Sequence, residues 1–174
     1  MQVTKVRSVA CGHSHLAVVS ASHELLTLGE NQYGQLGLGD TEARSTPQIV
    51  GCSQVFQVDA GHSHTVFATL NGTLFSFGSN TSGQAGQPRQ RRILTEPELV
   101  QNISGATCYV ACGDFHTLVI SDSPTTPLMA FGNNEFGTLS FAAPSVPHPP
   151  PTVPHVPLPL SLYLLLPGRG TPVL

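Results

Sequence analysis

Histidine, cysteine and aspartate gather in three short clusters of this chain. They read Cys11-Gly12-His13-Ser14-His15, Ala60-Gly61-His62-Ser63-His64 and Cys112-Gly113-Asp114-Phe115-His116. Residues of these types bind zinc, move protons, or form an acidic and histidine surface for a partner. The zinc reading fails on ligand count. The second cluster has no Cys, the third exchanges one His for Asp, and no Cys-x-x-Cys pair exists anywhere. Alternate residues sharing a strand face supply two or three ligands at most. A Ser-His-Asp or Cys-His catalytic order is not supported either, because each histidine already has a place in a repeat. No cofactor, metal or catalytic residue is therefore assigned.

The elements that must hold these clusters are themselves repeated. Each cluster is followed by an apolar run, then Gly-x-Asn, then a glycine-rich turn. The Gly-x-Asn elements are Gly29-Glu30-Asn31, Gly78-Ser79-Asn80 and Gly132-Asn133-Asn134. The turns are Gly34-Gln35-Leu36-Gly37, Gly83-Gln84-Ala85-Gly86 and Gly137-Thr138-Leu139-Ser140. The period is about 50 residues, which marks a repeat architecture. The turns are not phosphate loops, because they lack Lys-Ser/Thr and precede no helix.

Within each copy the pattern is β. The runs Leu16 to Val19, Thr65 to Ala68 and Thr117 to Ile120 are near-continuously apolar, as in strands covered on both faces. Return strands are expected at Leu25 to Leu28, Thr73 to Phe77 and Leu128 to Phe131. Asn71-Gly72 reads as a two-residue hairpin turn, whereas the first and third connections are looser. Two more strands, Gln48 to Val50 and Val55 to Val58, are expected to precede the second cluster. Their counterparts are Glu98 to Val100 and Thr107 to Ala111. That gives about four short strands per period, the content of a propeller blade. Val18, Leu28, Phe67, Phe77, Val119 and Phe131 are the expected core.

Composition narrows the function. Charged residues are 10% of the chain and the formal net charge is −3, so no basic nucleic-acid footprint is present. The cluster Arg89, Arg91 and Arg92 lies in a connection and reads as a solvated loop. No stretch approaches the ~20 apolar residues of a membrane helix. Met1 to Val9 has no apolar core of a signal peptide. The four cysteines show no disulfide framework, and Cys11 and Cys112 share a repeat position with Ala60. These features point to an intracellular protein, cytoplasmic or nuclear, whose three Asn-x-Ser/Thr sequons are chance matches. Residues 142–174 hold ten of the fifteen prolines and one charged residue, so a disordered Pro-rich tail is expected there.

Val9-Ala10-Cys11-Gly12-x-x-His15 and Gly29-x-Asn31-x-x-Gly34-Gln35-Leu36-Gly37 resemble the repeat of the regulator of chromosome condensation family. The resemblance covers about residues 3 to 140. It implies an all-β fold in which each repeat supplies one four-stranded propeller blade. Seven-bladed members are common, so this chain is expected to be a partial propeller of about three blades and a truncated or fragmentary member. Copies are placed near 9–58, 59–110 and 111–141, with 142–174 as the tail. Family members include an exchange factor for the small GTPase Ran, a GTPase regulator and modules of ubiquitin ligases. The fold alone therefore assigns no activity.

The resemblance implies a protein-interaction module that binds a protein partner through its blade loops. A guanine-nucleotide exchange factor or other regulator of a small GTPase is the alternative. A truncated isoform without function is a third reading. In the exchange factor, acidic and histidine side chains of these loops face the GTPase, which makes His13, His62 and Asp114 the partner-binding candidates. The repeat-building set is Gly12, His15, Gly29, Asn31, Gly61, His64, Gly78, Asn80, Gly113, His116, Gly132 and Asn134. His15, His64 and His116 are expected to be buried and hydrogen-bonded to backbone within their own blades. The asparagines are expected to brace the following turns. Oligomeric state is not readable from the sequence.

Overall fold

In the computed structural model, the structure describes residues 5–137 and 139. These form eleven strands: β1 (Val6–Cys11), β2 (His15–Ser20), β3 (Leu25–Gly29), β4 (Arg44–Ile49), β5 (Val55–Ala60), β6 (His64–Thr69), β7 (Leu74–Ser79), β8 (Ile93–Leu99), β9 (Thr107–Cys112), β10 (His116–Ser121) and β11 (Leu128–Gly132). No helix occurs among the described residues, hence none that could cross a membrane. The strands make three antiparallel meanders in chain order, β1–β4, β5–β8 and β9–β11. The third sheet has three strands among the described residues. The position of a fourth, after Gly132, and the whole 142–174 stretch lie outside them.

Sheet membership differs from the sequence reading in one respect. Gln48 belongs to β4, which pairs back onto β3 with Leu26 opposite Ile49, and so closes the first sheet. Glu98 likewise sits in β8, opposite Ser76 of β7. A repeat counted from cluster to cluster thus straddles two sheets. Connection length does not predict this, since β3 reaches β4 through residues 30–43 and β7 reaches β8 through 80–92, whereas only 50–54 and 100–106 lead on to the next sheets; the backbone pairing places β4 and β8.

The hairpin turns also differ from expectation. Among Asn71 and Gly72, only Gly72 has positive φ, +79°. The Thr69 N–H donates to the Thr73 carbonyl, and the Gly72 N–H to the Thr69 carbonyl. The loop is thus three residues, Leu70 to Gly72, a turn closed by one left-handed residue. The first hairpin copies it, with His23 (φ +64°) in the glycine's place.

Packing between sheets runs through the first strands. β5 packs against β1 and β2, and β9 against β5 and β6. The first strands therefore converge, while β4 and β8 lie at the far edges, as blades do around a propeller axis. Phe67, Phe77 and Val19 are fully buried in the first core cluster, between sheets one and two. Val119, Met129 and Phe131 fill the second, between sheets two and three. Of the expected core residues, Val18 and Leu28 are only half-buried. They hold the register places of Phe67 and Phe77, which pack toward the preceding sheet, and the described residues include no sheet before the first.

Glycine turns lock neighbouring sheets. A Cβ on Gly37 would meet the Phe77 ring at 3.0 Å, and one on Gly86 would meet the Phe131 ring at 3.0 Å. Each turn rests on the aromatic of the following sheet. The loss of a side chain here is what lets the ring close the gap.

Candidate functional site: the loop face

The clusters connect β1 to β2, β5 to β6 and β9 to β10, so they share one end of the sheets. Gly12, Gly61 and Gly113 set their spacing. A Cβ at each would sit 2.1, 2.1 and 2.2 Å from the Cε1 atom of His15, His64 and His116 respectively. It would also lie 2.7 Å from the Gly61 carbonyl oxygen in the first case and 2.5 Å from that of Gly113 in the second. The glycine therefore makes room for its own histidine and for the next loop.

The histidines tie the sheets together. His15 Nε2 lies 2.9 Å from Thr65 Oγ1, and His64 Nε2 lies 3.0 Å from Thr117 Oγ1, each on the following sheet. Thr65 Oγ1 donates to the Gln35 carbonyl at 2.9 Å and Thr117 Oγ1 to that of Gln84 at 2.8 Å. A hydroxyl has one proton, so each imidazole must donate from Nε2. This corrects the expectation of backbone partners within one blade. Nδ1 of both rings is buried with no hydrogen-bond partner among the described residues. Burial, reinforced by the His62 charge, lowers the pKa of His15 to about 4. Burial, then the charges of His15 and His116, lowers that of His64 to about 3. Both rings are neutral near pH 7. His116 holds the same place on the third sheet and is half-buried. The described residues include no fourth sheet to offer it a hydroxyl.

The remaining repeat residues serve the same end of the sheets. Gly29, Gly78 and Gly132 have φ of +114°, +100° and +117°, and a Cβ there would approach the carbonyl of Ser14, Ser63 or Phe115 within 2.5 Å. Asn31 Oδ1 accepts from the Leu36 N–H, Asn80 Oδ1 from Ala85 and Asn134 Oδ1 from Leu139. These bonds fold the glycine-rich turns back under the loops.

The exposed part of the face is built by the residue after each glycine. His13 and His62 stack with centroids 4.3 Å apart and planes 7° from parallel. His62 stacks in turn on Phe115, at 5.4 Å and 19°. The His62 N–H donates to the Asp114 carbonyl at 3.1 Å, and its ring Nδ1 lies 2.8 Å from Ser63 Oγ. Three loops from three sheets thus present one ladder of rings. His13 and Asp114 are exposed, His62 is half-buried, and Phe115 is 43% exposed. The sequence candidates His13 and His62 come together. Asp114 flanks them through its neighbour Phe115, which the sequence reading did not select. Its signal was an aromatic at a loop position where the other copies carry Ser14 and Ser63.

Two further residues were missed. Gln57 Nε2 donates to the Val110 carbonyl and Gln57 Oε1 accepts from the Val110 N–H, both at 2.9 Å. Asp59 Oδ2 accepts from the Cys112 N–H at 2.6 Å. The first sheet has Ser8 and Ala10 at these positions, so only the second and third sheets are pinned in this way. No group of three His, Cys, Asp or Glu residues is gathered as metal ligands among the described residues. Burial pushes the Cys52 thiol up to about 11. Burial, with the Asp59 carboxylate behind it, pushes Cys112 above its ordinary range. Neither is a poised nucleophile.

Three antiparallel meanders that converge on their first strands, joined by glycine-spaced loops at one end, define an arc of β-propeller blades. The Regulator of chromosome condensation (RCC1) repeat matches residues 22–68 and 71–120, and a second form of that repeat matches 57–84. The chain belongs to this repeat family. It is 36% identical over 140 residues to the ultraviolet-B receptor UVR8 of Arabidopsis thaliana, covering 78% of this chain and 31% of the receptor. It is 31% identical over 147 residues to the human probable E3 ubiquitin-protein ligase HERC6, covering 79% of this chain and 14% of that protein. The crystal structure of Prp20p from Saccharomyces cerevisiae superposes with a TM-score of 0.67 at 21% identity, covering 75% of this chain and 34% of that one. The chain therefore spans under a third of these curated relatives, and the structural likeness concerns the fold alone.

Proposed function

We propose that the chain is a protein-interaction module that binds a protein partner through the loop face, in the cytoplasm or nucleus. The observation that carries this reading is the His13–His62–Phe115 ladder. It is an aromatic strip, exposed at His13 and Phe115 and half-buried at His62, drawn from three separate loops that the glycines beneath let approach closely. Exposed aromatics on a rigid frame supply contact area at little entropic cost, which is why they anchor interfaces. The relatives carry different activities on shared repeats, a receptor in one case and a ubiquitin-ligase name in another. The loops, not the sheets, must distinguish them.

Regulation of a small GTPase, including nucleotide exchange, is the second reading. It is favoured by exposed Asp114 beside two loop histidines. The structurally similar yeast Prp20p has binding properties toward Gsp1p and histones, and the human X-linked retinitis pigmentosa GTPase regulator is 44% identical over 46 residues. A nucleotide-release assay on a panel of GTPases loaded with fluorescent GDP separates the two. The module reading expects release at the intrinsic rate throughout. Acceleration that disappears in Asp114→Ala would replace it with the exchange-factor reading.

A further inference from the structure

We propose that the ladder receives arginine side chains of the partner, stacked on the open faces of its end rings and paired with the carboxylates beside them. The inference rests on the loop-face reading above and names the chemistry of its partner.

The ladder has two ends. His13 and Phe115 are its outer rings, and among the described residues no further ring stacks beyond either. Each end has an acidic residue in its own or the adjoining loop. Asp114 immediately precedes Phe115. The Glu30 N–H donates to the carbonyl of Ser14, the neighbour of His13, at 2.9 Å, which fixes Glu30 beside that loop. Glu30 and Asp114 are both exposed, and neither carboxylate makes an ion pair or side-chain hydrogen bond among the described residues. The loops 12–14, 30–34, 61–63, 79–83, 113–115 and 133–137 contain Glu30, Asp114 and Glu135 but no Lys or Arg. These six loops thus carry no cation of their own; Arg91 and Arg92 stand nearby on the β7–β8 connection, where Asn80 bonds their carbonyls.

A flat exposed ring with an unpaired acidic residue in a neighbouring position suits a guanidinium better than any other side chain. The guanidinium is planar, stacks on aromatic faces and binds a carboxylate with paired N–H donors. An ammonium of equal charge offers no plane to stack. A nucleobase would also stack on the ladder, but the carboxylates oppose its phosphates. Charge complementarity thus selects an arginine-bearing peptide.

The test uses the full chain and fluorescence anisotropy. The probes are labelled peptides of alternating Gly and Arg, their Gly-Lys counterparts of equal length and charge, and a labelled oligo(dT) 12-mer. The Arg peptide is expected to bind about fivefold more tightly than the Lys peptide, the size of an exposed cation–π contact. Phe115→Ala and Asp114→Asn should each remove that preference, Phe115→Tyr should keep it, and the rim variant Glu42→Gln should leave it unchanged. Circular dichroism confirms that each variant keeps the parent's sheet content. Equal affinity for Arg and Lys peptides overturns the proposal, as does tighter binding of oligo(dT), or a loss in Glu42→Gln equal to that in Asp114→Asn. If the preference is absent while a protein partner still crosslinks at position 115, the arginine inference fails and the loop-face reading stands.

Discussion

The His64 Nε2–H on the second sheet donates a hydrogen bond to the Thr117 hydroxyl on the third, 3.0 Å away, and the Thr117 hydroxyl donates in turn to the Gln84 carbonyl. His15, Thr65 and Gln35 repeat this relay between the first and second sheets. The relay explains why a histidine recurs in every copy. It couples blades, and it positions the loop whose outer residue forms the ladder.

A double-mutant cycle on His64→Ala and Thr117→Val should show coupling on the order of 1 kcal/mol, because the pair shares one buried hydrogen bond. Urea unfolding of the four proteins measures it. Additive effects would mean that the two side chains do not interact.

Acid should loosen the blades. Unfolded histidine titrates near 6.5, whereas His15 and His64 are held to about 4 and about 3 in the fold. Depressed histidine pKa values mean that the unfolded chain takes up more protons. Stability is therefore full above pH 6.5, falls as pH drops from there toward the folded values, and levels off below them. The expected loss is about 2 kcal/mol per buried histidine by pH 5. Urea midpoints measured from pH 7.5 to 5 in the parent and in His64→Gln check this, with a shallower slope expected in the variant. A flat profile in the parent would contradict the buried neutral state.

Glycine variants should separate two kinds of need. Gly61→Ala drives a methyl onto His64 at 2.1 Å and onto the Gly113 carbonyl, with backbone on one side. At Gly83 a methyl meets nothing within 4 Å, and the only strain is its φ of +82°. Gly83→Ala should cost about 1 kcal/mol, and Gly61→Ala clearly more. Thermal melts compare them. Equal effects would mean that the loops do not approach as closely as the ladder requires.

Phe77 is fully buried and supports the turn of the preceding sheet at Gly37. Phe77→Ala should cost about 3 kcal/mol or more in urea unfolding. A change within error would place the ring outside the core.

Much of this architecture was legible because it repeats. The apolar runs gave β2, β6 and β10, and the Gly-x-Asn elements marked the ends of β3, β7 and β11. The asparagine braces followed from side-chain chemistry over five residues. What was not legible lies between blades. The partners of His15 and His64 are 50 and 53 residues away. Gln57 reaches Val110 over a similar distance. Local pattern carries no information on which sheet a polar side chain will meet. The copies also disagree where it matters, since Leu16 stands where Thr65 and Thr117 accept a histidine. Phe115 escaped notice for the opposite reason. It looks like an interruption of the Ser14 and Ser63 pattern until the loops are stacked.

Site-specific photocrosslinking tests the central claim most directly. Benzoylphenylalanine is placed at Phe115 on the loop face or at Thr125, exposed at the opposite end of the same sheet, in the full chain expressed in cells. A discrete protein adduct is predicted from position 115, absent from position 125 and lost when His62→Ala and Asp114→Asn are added to the 115 probe. Equal adducts from both positions, or an adduct at 115 indifferent to those substitutions, would contradict a partner-binding loop face.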